Sequence, residues 1–198
     1  MGKNGEMLKT FFKIMQNDNE EIRKVIPNMY CKNFYDIDID YLVNKGINKL
    51  IIDIDGTILP VDDIYVTIEL LRCFGLYKIK HFDICLLSNN NKERVLPVAK
   101  ELNVNCLYNA NKPLPEAYEK ALAILKAPNK ESVAVIGDQM LSDIKGANEY
   151  GLYTILVDPV SNHNNIKTGT QRVLQKRIEK HLKNKGLFDK EFFNNERN

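Results

Sequence analysis

The sequence predicts an α/β protein with a doubly wound (Rossmannoid) parallel sheet and helices on both of its faces. Five short apolar runs alternate with helical patterns along the middle of the chain, and four of these runs end in Asp or Asn. Such nearly continuous apolar runs are typical of strands that a parallel sheet buries on both faces. With 198 residues, 44% hydrophobic and 27% charged, the chain has an ordinary globular composition, which excludes a disordered or fibrous protein.

The predicted strands and helices follow one another in strict alternation. The expected strands are residues 49–55, 83–89, 105–110, 132–138 and 153–158. The expected helices are residues 64–74, 92–102, 114–126 and 140–150. Pro97 is expected to kink or restart the second helix, and Gly151 to end the fourth. Alternation of this kind, with right-handed crossovers, indicates a doubly wound domain.

Further helices are predicted at both ends of the chain. We expect three segments: an N-terminal helical arm (1–35), the α/β domain (36–160) and a basic C-terminal helical segment packed on that domain (161–198). The arm should contain one or two short helices and then an irregular stretch around Pro27. In the C-terminal segment, Leu174, Ile178 and Leu182 form one narrow apolar stripe of the kind that packs on a protein core.

The C-terminal segment carries a charge of +5, from nine Lys or Arg and four Asp or Glu, whereas residues 1–160 carry −3. A solvated helix face and contact with an anionic surface or substrate explain this asymmetry equally well. No stretch approaches the ~20 apolar residues of a membrane span, and the N-terminus lacks a signal-peptide pattern. We therefore expect a cytoplasmic protein, with a peripheral position at the inner face of the membrane as an alternative. No nucleic-acid partner is expected.

Polar residues that could form an active site follow the strands at their carboxyl ends, where open α/β sheets bind ligands. The candidates are Asp53 and Asp55 after the first strand, Ser88 after the second, Lys112 after the third, and Asp138 and Asp143 after the fourth. Each alone can be explained as a turn, a helix cap or a solvated residue. Together they combine acceptors for a hard cation with donors for an anion. Because Mg²⁺ prefers oxygen ligands and often shares them with phosphate, the set predicts magnesium-dependent phosphoryl transfer.

These residues lie in four ordered motifs that resemble the haloacid dehalogenase (HAD) superfamily of phosphatases. The motifs are DIDGT at 53–57, LLSNN at 86–90, NKP at 111–113 and GDQMLSD at 137–143. The resemblance covers roughly residues 49–160 and implies a HAD-like fold. In finer detail, the stretch before the first motif and the Gly-Asp-Gln form of the fourth are similar to the capless, YqeG-like proteins of subfamily IIIA. Some of those relatives dephosphorylate phosphatidylglycerophosphate.

The resemblance implies a two-step phosphatase mechanism. Asp53 would attack phosphorus and form an aspartyl-phosphate, which is covalent catalysis by a carboxylate. Asp55 would protonate the leaving alcohol and then activate the water that hydrolyses the intermediate. Lys112 would offset negative charge on the nucleophile and the phosphate.

The resemblance also implies a set of binding residues. The ligands of Mg²⁺ would be Asp53, the backbone carbonyl of Asp55 and Asp138, with Asp143 as a direct ligand or as support for one. The phosphoryl oxygens would be held by Ser88 and the backbone N–H of Asn89, while Thr57 would orient the loop of the first motif.

The intervals between the motifs leave no room for a cap domain. About thirty residues separate Asp55 from Ser88 and about twenty-three separate Ser88 from Lys112, whereas a domain needs at least ~50 residues. An open cleft favours a bulky phosphorylated substrate, such as phosphatidylglycerophosphate at an anionic membrane surface. The alternatives are a soluble phosphatase for sugar phosphates or nucleotides and a non-catalytic binding protein with the same fold.

Overall fold

Six apolar segments pair into one fully parallel sheet in the computed structural model, which describes residues 3–61, 63–160 and 166–191. The strands are β1 (Met29–Cys31), β2 (Lys49–Ile52), β3 (Asp83–Leu87), β4 (Asn105–Leu107), β5 (Val133–Gly137) and β6 (Tyr153–Val157). Their order across the sheet is β1-β6-β5-β2-β3-β4. The predicted doubly wound α/β fold is therefore confirmed.

The described residues form eight α-helices around this sheet. They are α1 (Lys3–Met15), α2 (Asn19–Val25), α3 (Ile39–Asn44), α4 (Ile68–Ile79), α5 (Lys92–Leu102), α6 (Pro115–Ile124), α7 (Lys145–Tyr150) and α8 (Ile166–Asn184). A short 3₁₀ turn (Phe34–Asp36) precedes α3, and a π-helical turn (Met140–Ile144) leads directly into α7.

Helices cover both faces of the sheet because successive strand residues point to opposite sides. In β2, Leu50 and Ile52 pack with α3, α4 and α5 on one face, while Ile51 packs with α6 and α7 on the other. Leu156 of β6 lies in a separate cluster with α1, α2 and α8. Strands β2, β3, β5 and β6 thus carry buried apolar side chains on both faces, as their sequences predict.

The direction in which strands are added to the sheet reverses next to β2. The chain adds β3 and β4 on one side of β2, and then β5 and β6 on the other. Open α/β sheets bind their ligands in the crevice at such a switch point. The connection from β2 to β3 contains α4 and that from β3 to β4 contains α5, and no cap domain is present in these described stretches.

The first strand of the sheet was not expected from the sequence. The interval around Pro27 is predicted to be irregular, but β1 pairs in parallel with β6 at the sheet edge. A strand of three residues is too short to show a recognisable alternation, so only its pairing reveals it. Helix α3 was likewise not predicted.

The bounds of several helices differ from the prediction. The helix expected at 64–74 begins later, as α4, because the Thr67 hydroxyl accepts a hydrogen bond from the N–H of Leu70 and caps it there. Helix α5 continues through Pro97 without restarting. The helix expected at 140–150 is divided into the π-helical turn and α7.

Helix α8 packs on the body of the protein through the predicted apolar stripe. Ile178 and Leu182 are completely buried and Leu174 is half-buried in the cluster that includes α1 and α2. Residues 161–165 and 192–198 of the predicted basic segment lie outside the described residues.

Helix α1 contributes one buried face and one exposed face. Phe11 and Ile14 are buried against α8, whereas Leu8 and Phe12 remain about half exposed.

Among the described residues, no helix is both long and apolar enough to cross a membrane.

Candidate active site

The register of the sheet brings three carboxylates together at the switch point. Ile52, the last residue of β2, pairs with Ile136 of β5, so Asp53 lies beside the end of β5, which Asp138 follows. The N–H of Asp53 extends the ladder by donating to the carbonyl of Ile136 at 3.0 Å. Carboxylate oxygens of Asp53, Asp138 and Asp143 all lie within 4.8 Å of one another, and the three residues are buried.

The turn after β2 places a hydroxyl and a glycine against this cluster. The Thr57 hydroxyl donates to Asp53 Oδ2 at 3.0 Å and lies 3.4 Å from Asp138 Oδ1. Gly56 has a φ of +91°, and a Cβ there would lie 2.5 Å from Asp138 Oδ2. Both the left-handed backbone and the close approach of Asp138 therefore require glycine at this position.

Asp143 is positioned by the π-helical turn. Its Oδ2 accepts the N–H of Gln139 at 3.1 Å, and a Cβ on Gly137 would overlap its side chain. The hydroxyl of Tyr118, from α6, lies 3.0 Å from the carbonyl of Ser142 and 3.1 Å from that of Asp143. Through these contacts Tyr118 stabilises the turn that carries Asp143.

Lys112 is the cation of the cluster. Its buried ammonium lies 2.5 Å from Asp53 Oδ1 and 2.7 Å from Asp143 Oδ1. The side chain of Asn89 holds the Lys112 backbone on both sides: its Nδ2 donates to the Lys112 carbonyl at 3.1 Å, and its Oδ1 accepts the Lys112 N–H at 2.7 Å. The sequence suggested only the backbone N–H of Asn89 as functional.

Asp55 is held outside the buried cluster by Arg94, a residue that the four sequence motifs do not include. Arg94 donates to Asp55 Oδ1 through Nη2 at 2.6 Å and through Nε at 2.9 Å. Asp55 Oδ2 accepts from Asn90 Nδ2 at 2.9 Å and lies 3.4 Å from the buried Ser88 hydroxyl. One signal was available, because Arg94 lies in the first turn of α5, where a positive charge opposes the helix dipole.

Comparison with known proteins identifies the family. Over 180 residues the chain is 32% identical to the probable phosphatase YqeG of Bacillus subtilis, an alignment that covers 91% of this chain and 96% of that protein. The chain belongs to the YqeG-like phosphatases of the HAD superfamily. A family model described as HAD-hydrolase-like also matches residues 109–164, which include Lys112, Asp138 and Asp143. The predicted resemblance and the predicted enzyme class are therefore confirmed.

The chain is also similar to solved structures at low sequence identity. The 3-deoxy-D-manno-octulosonate 8-phosphate phosphatase of Yersinia pestis is 17% identical, with 79% of this chain and 93% of that chain covered and a TM-score of 0.45. The HAD-hydrolase YfnB of Bacillus subtilis, described as bound to magnesium, is 15% identical. The alignment covers 61% of this chain and 91% of that chain, with a TM-score of 0.43.

The buried site of this HAD phosphatase contains more negative than positive charge in the absence of a further cation. Burial, together with the nearby Asp143 and Asp55, raises the pKa of Asp53 to about 7 against the lowering effect of Lys112. Burial, Asp53 and Asp143 raise the pKa of Asp138 well above its usual range. Burial by itself would lower the pKa of Lys112, but Asp143 and Asp53 outweigh it and raise that pKa. Three buried carboxylates thus face one ammonium, a set of oxygen donors that fits a divalent cation.

This imbalance predicts a pH-dependent stability for the metal-free HAD phosphatase. Asp53 has an ordinary pKa of 3.8 and a folded pKa of about 7, so the unfolded chain loses this proton first. Asp53 therefore contributes stability at low pH that is lost as the pH rises through about 7. In EDTA, from about pH 5 to about pH 8, the thermal midpoint of the wild type should fall relative to that of Asp53→Asn.

Magnesium provides the control for this prediction. Added at about pH 8, it should raise the wild-type midpoint more than that of Asp53→Asn, because a dication compensates the buried charge. Parallel midpoint curves for the two proteins in EDTA would contradict the prediction.

Proposed function

We propose that this phosphatase hydrolyses phosphomonoesters through an aspartyl-phosphate on Asp53, with Mg²⁺ as its cofactor. The observation that carries the proposal is the buried Asp53 carboxylate, which Lys112 and Thr57 orient from its two oxygens. A carboxylate fixed in this way can attack phosphorus without first reorganising, and its neighbours stabilise the charge of the transferring group. Phosphoryl transfer depends mainly on such positioning and electrostatic stabilisation.

The residues that would hold Mg²⁺ are Asp53, the backbone carbonyl of Asp55 and Asp138. Asp143 lies in the same cluster of carboxylates, with its Oδ1 2.7 Å from Lys112 and its Oδ2 bonded to the N–H of Gln139. We therefore propose Asp143 either as a further direct ligand or as support for the ligands. When bound, Mg²⁺ supplies positive charge beside the transferring phosphoryl group.

Asp55 is proposed as the acid and base of the two steps. Its protonated carboxyl gives a proton to the leaving alcohol when the Asp53 oxygen bonds to phosphorus. Its carboxylate then takes a proton from the water whose oxygen displaces Asp53 from phosphorus. The fixed contact with Arg94 sets the position of this carboxyl group, while Ser88 and the backbone N–H of Asn89 are proposed to hold the phosphoryl oxygens.

Asp55→Asn provides the test of the covalent intermediate. With an aryl phosphate, whose good leaving group needs little protonation, the first step should still proceed. Hydrolysis of the intermediate should slow by about 10²- to 10⁴-fold, the usual contribution of a general base. Intact-protein mass spectrometry should then detect the mass of one added phosphoryl group, located on Asp53.

A matched variant controls for non-specific phosphorylation. Asp55→Asn combined with Asp53→Asn should acquire no added mass under the same conditions. If the added group is found on a residue other than Asp53, the proposed nucleophile is wrong.

The substrate is proposed to be a bulky phosphomonoester, with phosphatidylglycerophosphate as the specific candidate. The described connections between the strands form no cap over the carboxyl ends of the sheet, which supports this proposal, because a site without a lid can admit a large head group or a membrane-bound molecule. An anionic lipid surface is the proposed partner of the basic C-terminal segment. Phosphate release from phosphatidylglycerophosphate in mixed micelles should exceed release from a soluble sugar phosphate. Turnover of the sugar phosphate alone would overturn the lipid proposal and leave the mechanism standing.

A further inference from the structure

The side chain of Gln175 joins helix α8 to the loop that carries Asp138. Its Nε2 donates to the backbone carbonyl of Asp138 at 2.8 Å, and its Oε1 accepts the N–H of Met140 at 3.1 Å. One amide group thus contacts the backbone on both sides of Gln139. Gln175 lies outside all four motifs, and more than thirty residues separate it from this loop.

The loop needs such a partner because its backbone groups are buried. Met140 is the first residue of the π-helical turn, and the first N–H groups of a helix have no carbonyl partner within it. The side chain of Gln139 provides no cap, and Met140 is fully buried, so bulk water does not reach its N–H. Gln175 satisfies this donor from a separate helix.

The orientation of the Gln175 amide is determined by its neighbours. The second hydrogen of Nε2 points to Glu179 Oε1 at 3.1 Å, and a carboxylate can only accept. Glu179 pairs with Lys190 at 2.9 Å, and Lys190 pairs with Asp158, the residue after β6, at 2.7 Å. The amide is therefore fixed by a chain of polar contacts that ends on the sheet.

We propose that Gln175 is a positioning residue for the metal site. It acts through the backbone of Asp138 and Met140, holding the Asp138 carboxylate where it can meet Asp53, and so makes α8 part of the active site. The inference rests on the proposed function, because it requires that Asp138 bind a divalent cation. Groups that hold a metal ligand in place typically change metal affinity by about 10- to 100-fold when they are removed.

The test compares two identical substitutions on α8. Gln175→Met removes the two hydrogen bonds to the loop, together with the one to Glu179, at similar volume. Gln171→Met, one turn earlier, changes an amide that contacts Met7 Sδ at 4.0 Å. Binding of Mn²⁺ to the full chain would be measured by calorimetry without substrate, and Mg²⁺ dependence by turnover. We expect Gln175→Met to weaken Mn²⁺ binding by about 10-fold while kcat at saturating Mg²⁺ stays within a few-fold of wild type. Gln171→Met should match the wild type.

Stability measurements separate positioning from a general structural role. A lower thermal midpoint in EDTA with unchanged Mn²⁺ affinity would overturn the inference, as would equal losses in the two variants. If Gln175→Met does not fold, Gln175→Asn keeps the amide but withdraws it by one methylene, and the same loss of affinity is expected. Failure of the wild type to bind Mn²⁺ would instead overturn the proposed metal site itself.

Discussion

Asp53→Asn is expected to abolish catalysis, lowering phosphate release by a factor on the order of 10⁴ or more, as removal of a nucleophile typically does. The amide oxygen of Asn is a poor nucleophile, while its shape preserves contacts with Thr57 and the turn. The variant should fold at least as well as the wild type without metal, because it removes one of three buried carboxylates. Steady-state release from an aryl phosphate, at saturating Mg²⁺, measures the effect.

Asp83→Asn is the matched control for this substitution. Asp83 is the first residue of β3 and therefore lies at the amino ends of the strands, the end opposite to the site. It is exposed there and paired with Lys49 at 2.6 Å. The same chemical change there should leave turnover near the wild-type value. Substantial turnover by folded Asp53→Asn would show that phosphate leaves without attack by this residue, and the covalent mechanism would then be wrong.

Lys112→Met is expected to cause the largest loss of stability. Lys112 is buried between Asp53 and Asp143, so its removal leaves carboxylates without a compensating cation. Breaking a buried pair from one side typically costs about 3–5 kcal/mol in the free energy of unfolding. Catalysis should fall by about 10²- to 10³-fold as well, the usual loss when one group that stabilises developing charge is removed.

Urea unfolding in EDTA at neutral pH measures the stability change, and Mg²⁺ should recover part of it by replacing the lost charge. Lys80→Met is the matched control, since Lys80 forms an exposed pair with Asp40 that should contribute little. If the free energy of unfolding of Lys112→Met equals that of the wild type in EDTA, the carboxylates do not carry the uncompensated charge inferred here.

The fold and much of the site could be predicted because their signals are local. Each central strand is an apolar run, and parallel strands must present their carboxyl ends at one edge of the sheet. Asp53, Lys112 and Asp138 each lie on the carboxyl side of a strand, so the common direction of the strands places them at the same end of the sheet. Strand β1 could not be predicted in this way, because its three residues show no pattern until β6 pairs with them.

Tertiary structure decided which side chains support those at the strand ends. Arg94 holds Asp55 from α5, Asn89 holds the Lys112 backbone, and Gln175 reaches the Asp138 loop from α8. No spacing in the sequence predicts these contacts, because each depends on how two separately formed elements pack. The sequence by itself therefore determined the α/β class, the order of the motifs and the residues at the strand ends, through periodicity and strand direction. Packing between distant elements determined how Asp55 is separated from the buried cluster and how the loop that carries Asp138 is held.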